Sequence, residues 1–429
     1  MLLTASLETL SKNVPERPLV LYSGGVDGTY LLKWLVDRSA NPLALVIDLG
    51  ANADPAATAR ADTLGVEVER VDATEEFFRE FLPAAIHADA YYEGLYPIGS
   101  SISRPLMGRL AAQVAQNRGC DMICHSATAM QNSGVRLSAA IAHFLPELPL
   151  AAPFLQSAVP RERMVRELAA IGIEFPYGVH SIDTNPWARV VECGSLDSPE
   201  NELDSDVFQW SAAPDAAFEA GPEVIELAFE RGLPVSLNGK DMPLASLVPQ
   251  LNELAGARGV GRFSGLEDTF LRGKNHEVRE APAASVITTA HRALANAVFE
   301  GKEYVIRNFL ATAWTHSVVE GGWYHHTTQC VRDALEQLDR IVTGVVRLRV
   351  FAGSVGVERL ESPHGLYRHR LAGPGWPTGH TGAHGSLIAT LAHVEELRRD
   401  DTADAPAPGR AAGDTHPTER KPKHDGEAR

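Results

Sequence analysis

The sequence is short of cysteine, of positive charge and of long apolar runs, and each shortage removes a class of protein. Only four cysteines occur, Cys120, Cys124, Cys193 and Cys330. They form no C-x-x-C pair and no tight cluster with histidine, which argues against a disulfide framework or a zinc site. Reduced thiols in a cytoplasmic protein are the expectation. Lysine and arginine number 39 against 55 acidic residues, a formal net charge of −16. Nucleic acid and membrane surfaces are both anionic, so neither is expected as a partner. No uninterrupted apolar run reaches the length of a membrane span. The opening segment, MLLTASLETLSKNVPERP, places no basic region before its few apolar residues, so no signal peptide is expected.

What is present is an ordinary globular composition, 44% apolar and 22% charged, over 429 residues. That length exceeds one common core and predicts two domains with appendages. Pro18–Tyr22, Leu43–Leu49, Val66–Val71 and Cys120–Cys124 read as buried strands. Asp27–Arg38, Thr74–His87 and Pro105–Arg118 read as helices, as does Pro55–Leu64 with Asp54 as its cap and Gly65 as its stop. This alternation predicts an α/β fold with a parallel, doubly wound nucleotide-binding sheet over residues 1–170 and right-handed crossovers. Beyond Ile171 the rhythm changes. A polar stretch, Thr184–Pro214, precedes a strand-like run at Val345–Phe351 and helices at Ser285–Phe299 and Cys330–Ile341. A second, mixed α/β domain is expected over 171–370, with an extension over 371–400. Residues 401–429 hold almost no large apolar side chain and are expected to be disordered.

The stretch LVLYSGGVDGT, Leu19 to Thr29, ends an apolar strand at a glycine turn that opens a helix. Glycines at such a strand end let backbone amides approach an anion, and the helix adds free N–H groups and a positive dipole end. The spacing is neither G-x-G-x-x-G nor the Walker pattern. It suits a pyrophosphate, with Asp27 available to a bridging magnesium ion; a plain glycine turn remains the alternative on this stretch alone.

Further segments extend the pattern, and together they resemble one family. The S-G-G-V-D loop resembles that of the N-type ATP pyrophosphatases. YEGLYPIGSSISRPL, from Tyr92 to Leu106, resembles the argininosuccinate synthase segment YEGRYPLGTSLARPL. Ser181-Ile-Asp183 with Asn185 and Trp187, the stretch Asn252 to Gly256 followed by Gly259 to Arg262, Glu280 with Pro282, and Ser362-Pro363 with Leu366-Tyr367 resemble later motifs of the same family in the same order. The resemblance implies a ligase. ATP adenylates the ureido oxygen of citrulline or an analogue and releases pyrophosphate, and the amine of aspartate or an analogue displaces AMP. By position, Tyr22, Ser23, Gly24, Gly25, Val26, Asp27, Gly28 and Thr29 would hold the ATP phosphates, with Ile47 beside the adenine and Ser126 nearby. Tyr96, Ser100, Ser101, Arg136, Ser181 and Glu267 would hold the ureido substrate, and Thr128, Asn132 and Ser133 occupy positions for the amine substrate. Asp27 and Arg136 would carry the catalytic roles, with ATP and Mg2+ as cofactors, small amino acids as substrates and a homo-oligomer, a tetramer by resemblance, as the assembly. Thr128, Asn132 and Arg136 fall on one stripe if their segment is helical.

The departures from the family pattern cluster in this site. Gly28 stands where the family has a threonine, Met130 where it has a lysine, and Ser133 where it has an aspartate. Losing one charge-assisted partner in a partly dry site costs about 1.5–3 kcal/mol. Val190 replaces a serine, Arg279 a tyrosine, and Asn275-His276-Glu277 the family's S-R-G. Arg279 could meet a carboxylate on a different substrate. Altered substrates and a non-catalytic nucleotide-binding paralogue therefore stay open. An RNA-thiolating enzyme would need paired catalytic cysteines and a basic face, which this acidic chain does not offer. His125 could reach a phosphate from its strand end, and His325-His326 has no third ligand at metal spacing.

Overall fold

The computed structural model describes residues 3–51, 55–129, 131–175, 180–269 and 273–368. Six strands form a fully parallel sheet: β1 (Leu3–Thr4), β2 (Pro18–Leu21), β3 (Leu43–Asp48), β4 (Glu67–Asp72), β5 (Met122–Cys124) and β6 (Leu150–Ala151). Their spatial order is β1-β6-β5-β2-β3-β4. β2 is the all-buried run Pro-Leu-Val-Leu, as a strand covered on both faces should be. β4 lies at an edge and alternates charged and apolar residues, which protects an open ladder. Separate apolar clusters cover the two faces. One is built on Val20, Leu31, Leu35 and Val46, the other on Leu19, Leu45, Ile123 and Ile141.

The expected strands and helices of this half are found, with four corrections. The helix expected from Pro105 begins earlier and runs Ser100–Asn117 (α2), with Pro105 inside it. Its first turn is buried and held by packing, which outweighs one lost backbone bond. The helix over 74–87 contains a π-helical stretch at Phe77–Phe81. Residues 120 and 121 form the turn before β5, so the strand starts at Met122. The helix after β3 is Ala56–Thr63 with Pro55 at its cap position, and Asp54 lies outside the described residues. The extension and tail over 371–429 and Met130 also lie outside them.

Residues 180–368 build two antiparallel sheets. A four-stranded sheet is ordered 262–268, 274–280, 188–192, 181–185, and a five-stranded sheet contains Glu223–Glu230 and Gly344–Phe351 at its centre. The hairpin over 181–192 falls in a stretch that reads as polar and irregular. Helices Pro282–Val298, Gly301–Val319 and His326–Leu338 pack against these sheets and against the first half. The largest apolar cluster joins Phe77, Phe81, Ile102 and Leu106 to Trp187, Ile287, Trp314 and Trp323. Among the described residues no helix is long and apolar enough to cross a membrane.

Two ionic devices fix this half. Glu280, fully buried, accepts from Arg189 at 2.7 Å and from the backbone N–H groups of Gln209, Trp210 and Ser211. A larger network surrounds Asp339. Arg307 donates to Asp339 Oδ1 at 2.9 Å and to Asp89 Oδ2 at 2.8 Å. The His291 ring lies between the same carboxylates, at 2.8 Å from Asp89 and 3.1 Å from Asp339, so both of its nitrogens carry protons. Burial alone would lower the His291 pKa; the two carboxylates outweigh burial and raise it to about 9. His87, His291 and Asp339 bring three metal-type donor atoms within 4.8 Å, but the Arg307 guanidinium already bonds there.

Candidate active site

The sheet order reverses between β2 and β5, because the chain runs outward to β3 and β4 and then returns to β5 and β6 on the other side. A crevice at the carboxyl ends of such neighbouring strands is where doubly wound sheets bind ligands. The loop after β2 lies there. Gly24 has φ +86°, a left-handed conformation that glycine adopts without strain. Its carbonyl is held by Arg60 Nη1 at 2.9 Å. The Thr29 hydroxyl, fully buried, donates to the Gly25 carbonyl at 2.8 Å and lies 3.0 Å from the Tyr22 hydroxyl. These bonds hold the turn while Ser23 and Gly25 stay exposed. Helix α1 (Val26–Val36) starts without a side-chain cap, which leaves N–H groups of its first turn available to a ligand, that of Asp27 excepted, since it meets its own carboxylate. A Cβ at Gly28 would meet the Tyr22 ring at 3.1 Å and Ser126 Oγ at 3.7 Å, which places Ser126, after β5, against the same turn. Ile47 is half-buried near the end of β3.

Asp27 is half-buried in the first turn of α1. Burial raises its pKa, opposed by Arg161 and by its own backbone N–H. One carboxylate beside a row of free amides fits a magnesium ion held mainly by phosphate oxygens. Burial pushes the Cys193 thiol up to about 12, with the charges of Glu192, Asp197 and Asp27 adding to the shift. Cys193 itself has φ +71°, a strained backbone for a residue with a side chain.

That second part is one face of the four-stranded sheet. Residues in register across the strands line up as Ser181, Glu192, Glu277 and Gly265, then Asp183, Val190, Arg279 and Phe263, with Glu267 opposite Asn275. The opposite face carries Val191 and Val278 in a small apolar cluster. Gly265 leaves room for Tyr96, since a Cβ there would lie 2.6 Å from the Tyr96 ring. The Tyr96 ring in turn stacks under the Arg279 guanidinium at 4.2 Å.

Arg136 reaches this face from α3 (Ser133–Phe144). It is buried, and it donates through Nε to the Val319 carbonyl (2.8 Å), through Nη1 to Ser100 Oγ (2.8 Å) and through Nη2 to Glu267 (2.5 Å). Asn132 donates to Glu267 at 2.8 Å. Arg279 Nη2 bonds Glu267 at 2.5 Å and also Glu277. Burial would raise the Glu267 carboxyl, but Arg136 and Arg279 outweigh it and hold the pKa at about 2. Glu277 behaves oppositely. Burial dominates and lifts it to about 7 despite Arg279. Burial also raises Glu192, which Gln131 and Asn275 hold at 2.5 Å and 2.8 Å.

The structure gathers Tyr96, Ser100, Asn132, Arg136, Glu267 and Arg279 into one network. Ser101 is buried in the first turn of α2 beside Ser100, and Ser181 lies 3.5 Å from Gln131. The expected stripe of Thr128, Asn132 and Arg136 is not formed. The helix begins at Ser133, Asn132 is its cap residue, and Thr128 sits in the loop before it. Arg279 does not stand as a free cation, because Glu277 and Glu267 already neutralise it. His125 is buried with Nε2 3.0 Å from Ser138 Oγ and Nδ1 without a partner, and burial lowers its pKa to about 4. His326 lies exposed beside Cys330. Sequence reading gave Gln131 and Cys193 no role in the site. The strand alternation of Asn275, Glu277 and Arg279 was the signal that could have assembled their face.

Comparison with known proteins now decides the family. The model of the arginosuccinate synthase N-terminal HUP domain matches residues 18–174, and that of the arginosuccinate synthase C-terminal domain matches residues 180–379. The chain belongs to the argininosuccinate synthase family. It is 34% identical to the argininosuccinate synthase of Rubrobacter xylanophilus over 363 residues, covering 83% of this chain and 88% of that one. It is also 34% identical to that of Pyrobaculum aerophilum over 392 residues, 89% of this chain and 98% of the relative. A solved predicted subunit of a tRNA methyltransferase from Methanocaldococcus jannaschii aligns at 16% identity and a TM-score of 0.27 over 36% of this chain and 75% of that one, too remote to bear on the fold. Membership makes the protein an ATP-dependent carbon–nitrogen ligase that forms AMP.

Proposed function

We propose that this ligase adenylates the ureido oxygen of citrulline or an analogue and then joins that carbon to the amine of aspartate or an analogue. The ureido oxygen attacks the α-phosphorus of ATP and pyrophosphate leaves. The amine nitrogen then attacks the ureido carbon, a C–N bond forms, and the former ureido oxygen departs on AMP. A ureido oxygen is a poor leaving group and AMP a good one, so the chemistry needs positioning and charge stabilisation more than proton transfer. The observation that carries this reading is adjacency. The segment after β5 carries Ser126 against the turn at Gly28, and Gln131 and Asn132 against Glu192 and Glu267, which supports one crevice shared by the amide-lined turn and the Arg136–Glu267 network.

In this reading the free N–H groups of α1 take the pyrophosphate end of ATP, Ser126 adds a hydroxyl, and the backbone near Ile47 lies beside the adenine. Bound Mg2+, with Asp27 as its protein ligand, would neutralise phosphate charge. Arg136, fixed by Ser100 and the Val319 carbonyl, orients the acceptor with Tyr96, Ser101 and Ser181, while Thr128, Asn132 and Ser133 face the amine. The nucleotide half corresponds to residues 1–170, the synthetase half to 171–370, and the working unit is a homo-oligomer.

The test is pyrophosphate release by the purified protein with ATP and magnesium, for citrulline and aspartate together, each alone, and for a panel of ureido compounds and amines. Saturable release that needs an acceptor and an amine supports the reading. ATP binding with no release for any pair contradicts it.

A further inference from the structure

The acceptor side of the crevice holds more carboxylate than it can neutralise. Glu192 and Glu277 are direct partners across two antiparallel strands and share a face. Like charges in that relation repel. What separates them is an uncharged amide: Asn275 donates to Glu192 Oε2 at 2.8 Å and to Glu277 Oε1 at 3.4 Å. The other oxygen of Glu192 is held by Gln131, also neutral. Neither carboxylate has a cation to itself.

The guanidinium groups, by contrast, already carry bonds to this cluster. Arg136 commits Nε to the Val319 carbonyl, Nη1 to Ser100 and Nη2 to Glu267. Arg279 lies over the Tyr96 ring, and among the described residues its hydrogen bonds leave from Nη2, toward Glu267 and Glu277, while its buried Nε has no partner. Arg104, the next arginine along, pairs with Asp183 at 2.8 Å. Glu192, Glu267 and Glu277 thus meet only Arg136 and Arg279. An incoming carboxylate would find Arg136 committed at every nitrogen, Arg279 shared between two carboxylates, and Glu192 held only by amides. An incoming ammonium would find two carboxylates whose mutual repulsion it relieves.

The two departures from the family pattern explain how this came about. Glu277 stands where the family has glycine and Arg279 where it has tyrosine, and the two side chains pair with each other. Arg279 removes a neutral hydroxyl from the pocket, and Glu277 cancels the charge that Arg279 adds, which leaves Glu192 and Glu267 to face Arg136. Val190, opposite Arg279 on the next strand, replaces the family serine with an apolar wall.

We propose that the acceptor of this ligase is a ureido compound of net positive charge, such as a ureidoalkyl amine, whose ammonium docks between Glu192 and Glu277. Glu277 and Arg279 act as one specificity unit. The proposal rests on the ligase reading above and leaves its bond changes untouched: the ureido oxygen still leaves on AMP, and the docked ammonium is not consumed.

The experiment compares ureidobutylamine, citrulline and ureidopentanoate, which share the ureido end and step down by one unit of charge. The readout is kcat/KM for pyrophosphate release with saturating ATP, magnesium and aspartate. The expected order is ureidobutylamine, citrulline, ureidopentanoate, with the first ahead of the second by about tenfold or more. Glu277→Gln should shrink that lead, and the double change Glu277→Gly with Arg279→Tyr should move the preference toward citrulline. Citrulline matching or beating ureidobutylamine in the unaltered protein overturns the proposal and leaves the ligase reading standing. So does a lead that Glu277→Gln leaves unchanged. Release with none of the three, with aspartate or with any other amine of the panel, while ATP still binds, overturns the ligase reading and the proposal with it.

Discussion

Around Asp339, two carboxylates face two buried cations, Arg307 and a doubly protonated His291, with Arg292 at the exposed rim; around Glu267, three carboxylates face two guanidiniums. Both clusters are buried, and both draw their members from distant parts of the chain. In the first, each carboxylate bonds both Arg307 and His291. In the second, the Tyr96 hydroxyl and Arg279 Nε are buried without partners, and burial lifts the Glu277 carboxyl to about 7. A balanced buried network is scaffold, since nothing remains for a ligand to satisfy. An unbalanced one stores electrostatic cost that a ligand can relieve.

The comparison is broken most severely at Arg307. Arg307→Met strands Asp89 and Asp339 in the core and should cost about 3–5 kcal/mol of stability, read from urea unfolding. A loss below about 1 kcal/mol would remove the scaffold assignment. In the site, Arg136→Met should lower kcat/KM for pyrophosphate release by roughly two to three decades. Its stability cost should be smaller than that at Arg307, because Arg279 and Asn132 still hold Glu267. Equal stability losses at both positions would erase the distinction.

pH separates the two clusters by sign. His291 has a folded pKa of about 9, above its ordinary 6.5, so its contribution is complete below 6.5 and is lost as pH rises through 9. Glu267, held at about 2, contributes fully above its ordinary 4.5 and loses that contribution as pH falls toward 2. Urea midpoints measured across this range should decline at both ends, and His291→Gln should flatten the alkaline limb. An unchanged alkaline limb in that variant would contradict the assignment. Smaller still is the coupling between Glu277 and Arg279, which a double-mutant cycle should place at about 1–2 kcal/mol. Least affected is the turn at Gly28. Gly28→Ser asks the Tyr22 ring to give by a few tenths of an ångström and should change KM for ATP by no more than about threefold.

The parallel half was legible because its physics is local. Apolar runs such as Pro18–Leu21 stop at glycine turns, and helical spacing fills the intervals. The site sheet was harder to see. Its strands carry the pocket on one face, so Ser181–Asn185 and Lys274–Glu280 are polar where a strand is expected to be apolar, and the hairpin at 181–192 was hidden in a polar stretch. The Thr128 stripe failed for a related reason: the helix starts only at Ser133, and spacing alone does not tell a loop from a helix. The family motifs located Arg136 and Glu267, but only the register across four strands shows that Glu277 faces Glu192 and neutralises Arg279.

The central claim is that the protein activates a ureido oxygen by transferring AMP to it, and that claim can be followed atom by atom. An acceptor labelled with oxygen-18 at the ureido oxygen, incubated with ATP, magnesium and an amine, is predicted to deliver its label to AMP, one labelled oxygen per turnover, detected by mass spectrometry. Label left in the joined product or released to water, with unlabelled AMP, would contradict adenylation of that oxygen and with it the chemistry assigned to this crevice.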